Sequence, residues 1–431
     1  KCDSLTVYTN HPYGTAYRGF GHVEFHWATE RQMDLVAREI GMDPLEFRLK
    51  NAALPGKVTP TGEVLADDCG RVDQCLKAVA EELGWGKPRE KRTENGKLRG
   101  IGIAALWKAP AMPSYASSSA IVKLNEDGTV TLSLGLTEMG QGTETAFAQI
   151  VAQELGIPLE KVNVVRERNT DTSPYSWQTV ASRGTFMDGN AVINAVNDLK
   201  QKMRETASDL LGFPADSLEV ADGYVYVARE PDKRVSLAQI ATCGVLSDGR
   251  GIRGPLLGYG YYTAEGLTFL DPETGQGRPA LMWTFGAQGA EVEVDPETGE
   301  LRICRIVTAL DLGKALNPLL VKGQIYGGVV QGLGTTVMEE FIFDEKGKLL
   351  NNNLTDYKIF RTQDIPDEFV PILIENPQRN APYGARGIGE HPTIGVAAAV
   401  ANAIYDASGV DFFDLPLNRE RLWRGLRKVR K

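Results

Sequence analysis

The sequence predicts an α+β fold in which mixed sheets pack against helices. Turn residues between alternating apolar and polar residues indicate hairpins, and apolar residues at three-to-four spacing indicate amphipathic helices. The two patterns follow one another without a regular βαβ rhythm, which favours α+β over a doubly wound sheet. At 431 residues, the chain is also longer than one ordinary domain, so two or more are expected.

Helical patterns recur along the chain. From Phe20 to Arg38, apolar residues return at three-to-four spacing, and Gly41 ends the pattern. A second helix is predicted from about Val72 to Leu83. Further helices are predicted at about 143–155, 184–209, 321–334 and 391–408, and over the basic tail from Arg419 to Lys431.

Turn chemistry predicts hairpins, and composition predicts a linker. Residues 87–97 are charged and poor in apolar side chains, as linkers are, so the chain is expected to divide into residues 1–86 and 98–431. Asp, Asn, Pro and Gly lie between strand-like residues in three predicted hairpins, at 123–130, 294–301 and 343–349.

Composition excludes several classes of protein. The net charge of −9, without a Lys/Arg-rich stripe before the last dozen residues, argues against a nucleic-acid partner. No apolar run reaches the roughly 18 residues of a transmembrane helix, so no membrane partner is expected. No signal peptide is recognisable, and we expect a cytoplasmic protein. Because the chain starts at Lys1 rather than Met, an upstream targeting segment stays open.

The cysteines and histidines do not form a metal motif. Five scattered cysteines without a CxxC pair fit a reducing compartment and argue against an iron–sulfur cluster held by this chain alone. His22 and His26 could lie on one helix face as ligands, but Glu24 sits midway between them and no third ligand is evident. Any metal is therefore expected to arrive with its own ligands.

The segment Gly387-Ile388-Gly389-Glu390-His391-Pro392 precedes an alanine-rich apolar helix. The two glycines permit a tight turn, and Pro392 fits the first turn of the helix. A carboxylate at a helix N-terminus keeps its charge and can act as a base, which makes Glu390 the candidate catalytic residue. The alternative is a helix-capping glutamate.

Further glycine-rich or polar segments lie in predicted loops, at Tyr17–Gly21, Thr137–Thr143, Pro174–Gly184 and Val330–Gly334. Glycine turns at helix N-termini expose backbone N–H groups that suit phosphate or other anionic oxygens. Gln141, Gln178 and Gln331 add amides that can pair with the edge of a heterocycle. Each loop taken alone is better explained as a structural turn, and GxxxxGK[ST] is not present.

Taken together, these segments resemble the molybdenum-cofactor subunit of the xanthine dehydrogenase / aldehyde oxidase family, in the same order and at comparable spacing. The resemblance implies two elongated molybdopterin-binding domains, the first only partly present in residues 1–86 and the second in residues 98–431. The family's upstream Gly-Gly-x-Phe-Gly loop has no counterpart, so the chain is either a fragment or one half of a split subunit. Among split forms it looks most like the large molybdopterin subunit of nicotinate dehydrogenase.

The resemblance implies roles for individual residues. Glu390 matches the family's general base, and Arg18, Phe20 and Tyr13 match its substrate pocket. The molybdenum is expected to be held by the pterin dithiolene, with a terminal sulfido or selenido ligand and no side-chain ligand, on a cofactor in the cytosine dinucleotide form. The implied cofactor contacts are Gly19, Gly21, Met139, Gly140, Gln141, Gly142, Ser176, Gln178, Thr179, Ser182, Gln331, Gly387 and Gly389.

The implied function is hydroxylation of a nicotinate- or purine-like aromatic N-heterocycle, with water as the oxygen source. Purine is disfavoured, because no phenylalanine in the segment Trp107–Pro113 matches the second ring of purine oxidisers. The resemblance also implies partner chains: a second molybdopterin subunit, a [2Fe-2S] subunit and an FAD subunit.

Three alternatives stay open. An aldehyde-oxidising or aroyl-CoA-reducing member of the same family would keep all these motifs. A non-catalytic scaffold half of a split cofactor site is a second, and retention of Glu390 argues against it. A zinc hydrolase built on His22 and His26 is the third.

Overall fold

We analysed a computed structural model, which describes residues 5–9, 11, 14, 16–242, 248–251 and 254–429. Its helices are α1 His22–Glu39, α2 Pro44–Asn51, α3 Val72–Glu82, α4 Thr143–Leu155, α5 Gly184–Leu211, α6 Leu237–Ala241, α7 Pro318–Val337, α8 His391–Ile394, α9 Val396–Ser408 and α10 Arg419–Val429. None of the helices in these ranges combines the length and the apolar composition needed to cross a membrane.

The strands form mixed sheets, which confirms the predicted α+β class. The strands are β1 Leu98–Lys108, β2 Ser117–Leu124, β3 Val130–Leu134, β4 Val162–Val164, β5 Leu218–Ala221, β6 Tyr224–Val227, β7 Glu230–Ser236, β8 Leu257–Thr263, β9 Thr284–Val294, β10 Leu301–Asp311 and β11 Glu368–Ile374. One sheet has the order β1-β9-β10-β11, a second β4-β3-β2-β8 and a third β5-β6-β7. Neighbouring strands are antiparallel except for β10 with β11 and β3 with β4, which are parallel.

The first sheet lies between helices α9 and α3. Helix α9 packs closely on β1, because a Cβ at Gly102 would collide with the backbone nitrogen of Ala403. On the other face, α3 buries Cys75, Leu76 and Val79 in one hydrophobic cluster with residues of β1, β9 and β10. This packing fixes β1 and β9, whose paired ends Lys108 and Thr284 lie beneath the candidate site.

The second sheet carries helices α4 and α5. A Cβ at Gly258 or Gly260 of β8 would collide with the backbone of α5, so both glycines permit close helix–strand packing. Phe147 of α4 and Val192 of α5 are fully buried in the shared core. The N-termini of the two helices are thereby held side by side.

The helix predicted at about 321–334 is confirmed as α7, and the interpretation of residues 330–334 as a glycine-rich loop is wrong because they lie inside this helix. The glycines serve helix packing instead of a turn. A Cβ at Gly332 would lie 2.8 Å from a methyl group of Val396, and one at Gly328 would lie 2.7 Å from Pro392. Helix α7 therefore packs directly against α8 and α9, next to Glu390.

Most of the predicted elements are present. The hairpins at 123–130 and 294–301 are β2–β3 and β9–β10, whereas 343–349 contains only the isolated bridge between Phe343 and Leu349. Helix α2, the third sheet and strands β8 and β11 were not predicted. The domain division at residues 87–97 stays a prediction, although α3 on one side of it shares a core with β1 on the other.

Candidate active site

A cavity of about 600 Å³ brings most of the predicted loops together. This volume falls within the range of about 300–1,000 Å³ that is usual for ligand sites. Among the predicted site residues, those on its wall are Arg18, Phe20, Met139, Gly140, Gln141, Gly142, Thr179, Ser182, Gln331, Gly387, Gly389 and Glu390. Gly19, Gly21, Ser176 and Gln178 lie within three residues of these in the chain but not on the cavity wall. Tyr13 lies outside the described residues.

Glu390 is the last residue before α8, but its side chain makes no capping hydrogen bond to that helix. The capping alternative is therefore wrong. Its Oε2 accepts a hydrogen bond from Ser182 Oγ at 2.8 Å, and its Oε1 accepts one from the N–H of Gly19 at 3.3 Å. Glu390 is 8% exposed, so a buried carboxylate faces the cavity with one oxygen firmly held and the other more weakly held.

Lys108 completes the surroundings of Glu390 and was not identified from the sequence. Its Nζ lies 2.7 Å from Glu390 Oε2, and its side chain is 3% exposed. A lysine at the end of an apolar strand could have been recognised in the sequence as a candidate for a buried ion pair, because buried lysines are nearly always paired. The partner, however, comes from a distant part of the chain and is visible only in the fold.

Two imidazoles, the half-buried His22 of α1 and the buried His391 of α8, flank this ion pair. His391 Nε2 lies 3.3 Å from the carbonyl oxygen of Lys108. Burial, and then the positive charge of Lys108, lower the pKa of His22 to about 4 and that of His391 to about 3. Both rings are therefore neutral at neutral pH, which leaves the ammonium and the carboxylate as a charge pair.

The imidazole of His26, one of the two histidines considered as metal ligands, contacts the backbone instead. His26 Nδ1 lies 2.9 Å from the carbonyl oxygen of His22, and the N–H of Trp107 donates to His26 Nε2 at 3.5 Å. In the described ranges, no group of three or more His, Cys, Asp or Glu side chains could hold a metal ion. The zinc hydrolase alternative therefore gains no support from this geometry.

The loop before α5 is strained at its tip. Gln178, Ala181 and Ser182 have φ values of 126°, 59° and 60°, which side-chain-bearing residues rarely adopt. Such strain persists only where the surroundings enforce it, and it clusters at functional sites. Here the strain turns Ser182 Oγ toward Glu390, whose own N–H donates back to that oxygen at 3.0 Å.

The fully buried Arg183 enforces this loop conformation. Its guanidinium donates to the carbonyl of Gln178 at 2.9 Å and to Ser176 Oγ at 3.3 Å, and it pairs with Asp188 at 3.3 Å. Ser176 and Gln178, which were predicted to contact the cofactor, therefore accept hydrogen bonds from Arg183 and stabilise the loop conformation. Their direct contact with a cofactor stays a prediction.

The loop before α4 is closed on itself. Glu138 accepts hydrogen bonds from the N–H groups of Gly140 at 2.9 Å and Gly142 at 2.8 Å. The amide of Gln141 bonds to the N–H of Met139 and to the carbonyl of Thr137. The expectation that the N–H groups of these glycines are open to an anion is therefore wrong, because a carboxylate of the same loop already occupies them.

Helix α5 differs, because no side chain caps its N-terminus. Gly184 and Thr185 begin the helix and line the cavity. The first N–H groups of a helix lack intrahelical acceptors, so this end suits the anionic oxygens of a phosphate group. Arg18 adds positive charge to the cavity, whereas the ammonium of Lys314, which also lines it, is paired with Glu375 at 2.7 Å.

Arg18 joins the N-terminal segment to the far side of the cavity. Its Nε donates to the carbonyl of Gly389 at 2.5 Å, its Nη1 to Gln331 Oε1 at 3.0 Å and its Nη2 to the carbonyl of Gln324 at 3.0 Å. Burial lowers its pKa from the usual range. Phe20, two residues further along the chain, has a φ of 46° and is 64% exposed, so its ring is accessible at the cavity.

Comparison with known proteins agrees with this geometry. A family model described as the molybdopterin cofactor-binding domain matches residues 78–366, and a second model of the same description matches residues 1–52. The chain belongs to the xanthine dehydrogenase family of molybdopterin-binding proteins. This confirms the family that the sequence motifs resemble.

Relatives with named activities match nearly all of the chain. It is 34% identical over 428 residues to the putative xanthine dehydrogenase molybdenum-binding subunit of Escherichia coli K12, covering 97% of this chain and 54% of the relative. It is 31% identical over 430 residues to the aldehyde oxidoreductase of Megalodesulfovibrio gigas, covering 98% and 43%. The chain thus spans about half the length of the curated relatives it matches.

A solved structure shares the fold. The crystal structure of quinoline 2-oxidoreductase from Pseudomonas putida 86 matches with a TM-score of 0.83 at 28% identity, over 96% of this chain and 53% of that one. The molybdenum hydroxylase fold therefore extends over nearly the whole sequence.

Proposed function

We propose that this chain forms the catalytic part of a molybdenum hydroxylase that oxidises an aromatic N-heterocycle with water as the oxygen source. The observation that carries the proposal is the Glu390 carboxylate, which is buried, held by Ser182 and Lys108, and turned toward a cavity of about 600 Å³. The names of two matches, xanthine dehydrogenase and quinoline 2-oxidoreductase, denote N-heterocyclic substrates.

The wall of the cavity fits an anionic pterin cofactor. The uncapped N-terminus of α5 offers N–H donors to a phosphate or pyrophosphate, and Arg18 adds positive charge. The wall also carries Thr179, Ser182 and Gln331, which are predicted cofactor contacts. When bound, the molybdenum cofactor supplies the two-electron oxidation. Its cytosine dinucleotide form and its terminal sulfido or selenido ligand are parts of the proposal.

Glu390 acts as the general base in this proposal. Oε2 is occupied by Ser182 Oγ at 2.8 Å and by Lys108 Nζ at 2.7 Å, whereas Oε1 receives only the longer bond from Gly19. The lone pairs of Oε1 are therefore the ones available to take a proton. The low exposure of Glu390 keeps bulk water from competing for that oxygen.

Phe20, Arg18 and Tyr13 are proposed to face the substrate. The exposed ring of Phe20 can stack on a heterocycle, since aromatic rings attract one another in offset or edge-on arrangements. Most donors of Arg18 are engaged with the protein, so its contribution is to hold the Gly389 carbonyl and leave one Nη1 proton for a substrate oxygen.

Partner chains complete the assembly in this proposal. Exposed apolar side chains include Met139, which lines the cavity and is 70% exposed, and Leu319, which precedes the cavity-lining Leu320 and is 79% exposed. Such side chains fit an interface with the second molybdopterin subunit expected from the sequence. Electrons would then leave through [2Fe-2S] and FAD subunits in the cytoplasm. Expressed without partners, the chain is expected to aggregate and to lack the cofactor.

Metal and cofactor analysis of the co-expressed assembly tests the proposed function. We expect molybdenum near one equivalent per chain, a pterin with a cytosine nucleotide, and reduction of an artificial acceptor by nicotinate-like heterocycles. Oxidation of aldehydes alone would favour the aldehyde alternative. Stoichiometric zinc without molybdenum, or a purified assembly that binds no pterin, would contradict the proposal.

A further inference from the structure

Lys108 links two separate loops of the candidate site. It is the last residue of β1, and its Nζ lies 2.7 Å from Glu390 Oε2 and 3.5 Å from the carbonyl oxygen of Ala181. Its own carbonyl oxygen contacts the ring of His391. One buried lysine therefore joins the strained loop before α5 to the loop that carries Glu390.

We propose that Lys108 is a positioning residue that fixes the orientation of the Glu390 carboxylate and keeps it ionised. This inference rests on the proposed role of Glu390 as the base. No sequence motif assigned a function to Lys108, because its residue type and strand position gave no sign of its partner.

The hydrogen-bond geometry explains how orientation is fixed. Lys108 Nζ and Ser182 Oγ both hold Oε2, at 2.7 Å and 2.8 Å. Two donors on one oxygen restrict rotation of the carboxylate about its last bond and keep Oε1 toward Gly19 and the cavity. Without Lys108, Ser182 alone would hold Oε2, and the two oxygens could exchange places.

The surrounding charges explain why the ammonium controls ionisation. From α1 the carboxylate and Lys108 face His22, with His26 one turn further along, and from α8 they face His391. Burial lowers the pKa of all three imidazoles, so these rings are neutral at neutral pH. The guanidinium of Arg18 also interacts electrostatically with Glu390, but its hydrogen bonds go to the Gly389 carbonyl and to Gln331, so Lys108 is the cation in direct contact with the carboxylate. An opposite charge at this range favours the ionised form of a buried carboxyl group.

The test compares the pH dependence of kcat/KM in the assembled, molybdenum-matched enzyme. For Lys108→Met we expect the low-pH limb of the kcat/KM profile, along which activity falls as pH decreases, to move to higher pH by about one unit or more. The reason is that the ionised carboxylate loses its counter-charge. Lys108→Arg, which keeps the charge, should leave the limb in place while lowering kcat. Lys200→Met is the matched control, because Lys200 also pairs with a glutamate, at 2.9 Å from Glu154, but outside the cavity. A purely structural role of Lys108 would not move the limb.

A second readout does not depend on turnover. Difference infrared titration of the same assembly follows the protonated carboxyl band of Glu390, assigned by its loss in Glu390→Gln. We expect this band to develop at higher pH in Lys108→Met than in the unchanged protein, and Lys108→Gln replaces Lys108→Met if the latter does not fold.

The outcomes separate the two proposals. Near-normal turnover of Glu390→Gln would overturn the proposed function. An inactive Glu390→Gln, together with an unmoved limb and an unmoved band in the neutral Lys108 variants, would overturn this inference alone.

Discussion

Ser182 and Glu390 are joined by two hydrogen bonds in opposite directions. Ser182 Oγ donates to Glu390 Oε2 at 2.8 Å, and the N–H of Glu390 donates to Ser182 Oγ at 3.0 Å. A single hydroxyl group thus couples the side chain and the backbone of Glu390 to a strained loop from another part of the chain. Because Gly387 has no Cβ, its backbone can approach the carbonyl of Ser182, where a Cβ would collide.

Ser182→Ala removes both hydrogen bonds, and the substituted residue must still adopt the same backbone φ of 60°. We expect the free energy of unfolding to fall by about 1–3 kcal/mol, because buried polar groups lose their partner. Turnover should fall by roughly ten- to a hundredfold, because the carboxylate is less well oriented. Thermal unfolding and steady-state kinetics measure the two effects. Ser408→Ala, which loses a helix-end hydrogen bond outside the cavity, should change only stability.

Phe20→Ala tests the substrate face. Loss of the exposed ring should raise KM by about three- to tenfold, because an aromatic pair contributes about 0.5–1.5 kcal/mol beyond buried area. Phe25→Ala is the control, because Phe25 is similarly exposed, at 62% against 64% for Phe20, but does not line the cavity. Equal kinetic parameters for the two variants would remove Phe20 from the substrate site.

Two glycines of α7 test its packing against α9. Gly332→Ala should destabilise the protein by about 1–3 kcal/mol, because the new Cβ would lie 2.8 Å from Val396 and 3.0 Å from the carbonyl of Thr393. Gly323→Ala in the same helix should be neutral or stabilising by up to about 1 kcal/mol, because nothing lies within 4 Å of its Cβ position. Thermal unfolding of both variants measures these changes in stability, and equal shifts in unfolding temperature would contradict the packing described for α7.

Acid should destabilise the protein through His391. Burial lowers its pKa in the folded state from 6.5 to about 3, so between these values the unfolded chain binds a proton that the folded chain does not. The free energy of unfolding therefore falls as pH drops below about 6.5, by at most about 1.4 kcal/mol per pH unit from this residue. His391→Gln should flatten that dependence in urea titrations between these pH values. A slope unchanged by the substitution would show that other groups carry it.

Local patterns in the sequence predicted much of the fold. The hairpin at residues 294–301 and the helix at 143–155 were correct, because turn residues and apolar spacing act within a few residues. Helix α2 was missed because it is short, although Asp43 caps it and Pro44 begins it. Strand β11 was missed because its parallel pairing with β10 depends on a distant segment.

Individual residues of the candidate site were predicted from the sequence, but the contacts between them were not. Sequence identified Glu390 and Ser182 separately, but their hydrogen bonds depend on how α5 and α8 pack. Lys108 and the buried pair of Arg386 with Asp311, 2.5 Å apart, were not foreseen, because each partner lies on a distant element. Gln141 was interpreted as a cofactor contact, yet the folded loop already provides partners for its amide.

The proposed chemistry depends on Glu390, so the most direct measurement is kcat of Glu390→Gln in the assembled enzyme, at molybdenum content matched to the unchanged protein. The amide keeps the shape of the side chain but cannot take up a proton. General-base catalysis contributes on the order of 10²–10⁴-fold, and we expect kcat to fall by that factor with folding and cofactor content intact. A molybdenum-replete Glu390→Gln assembly that turns over at a near-normal rate would contradict the account.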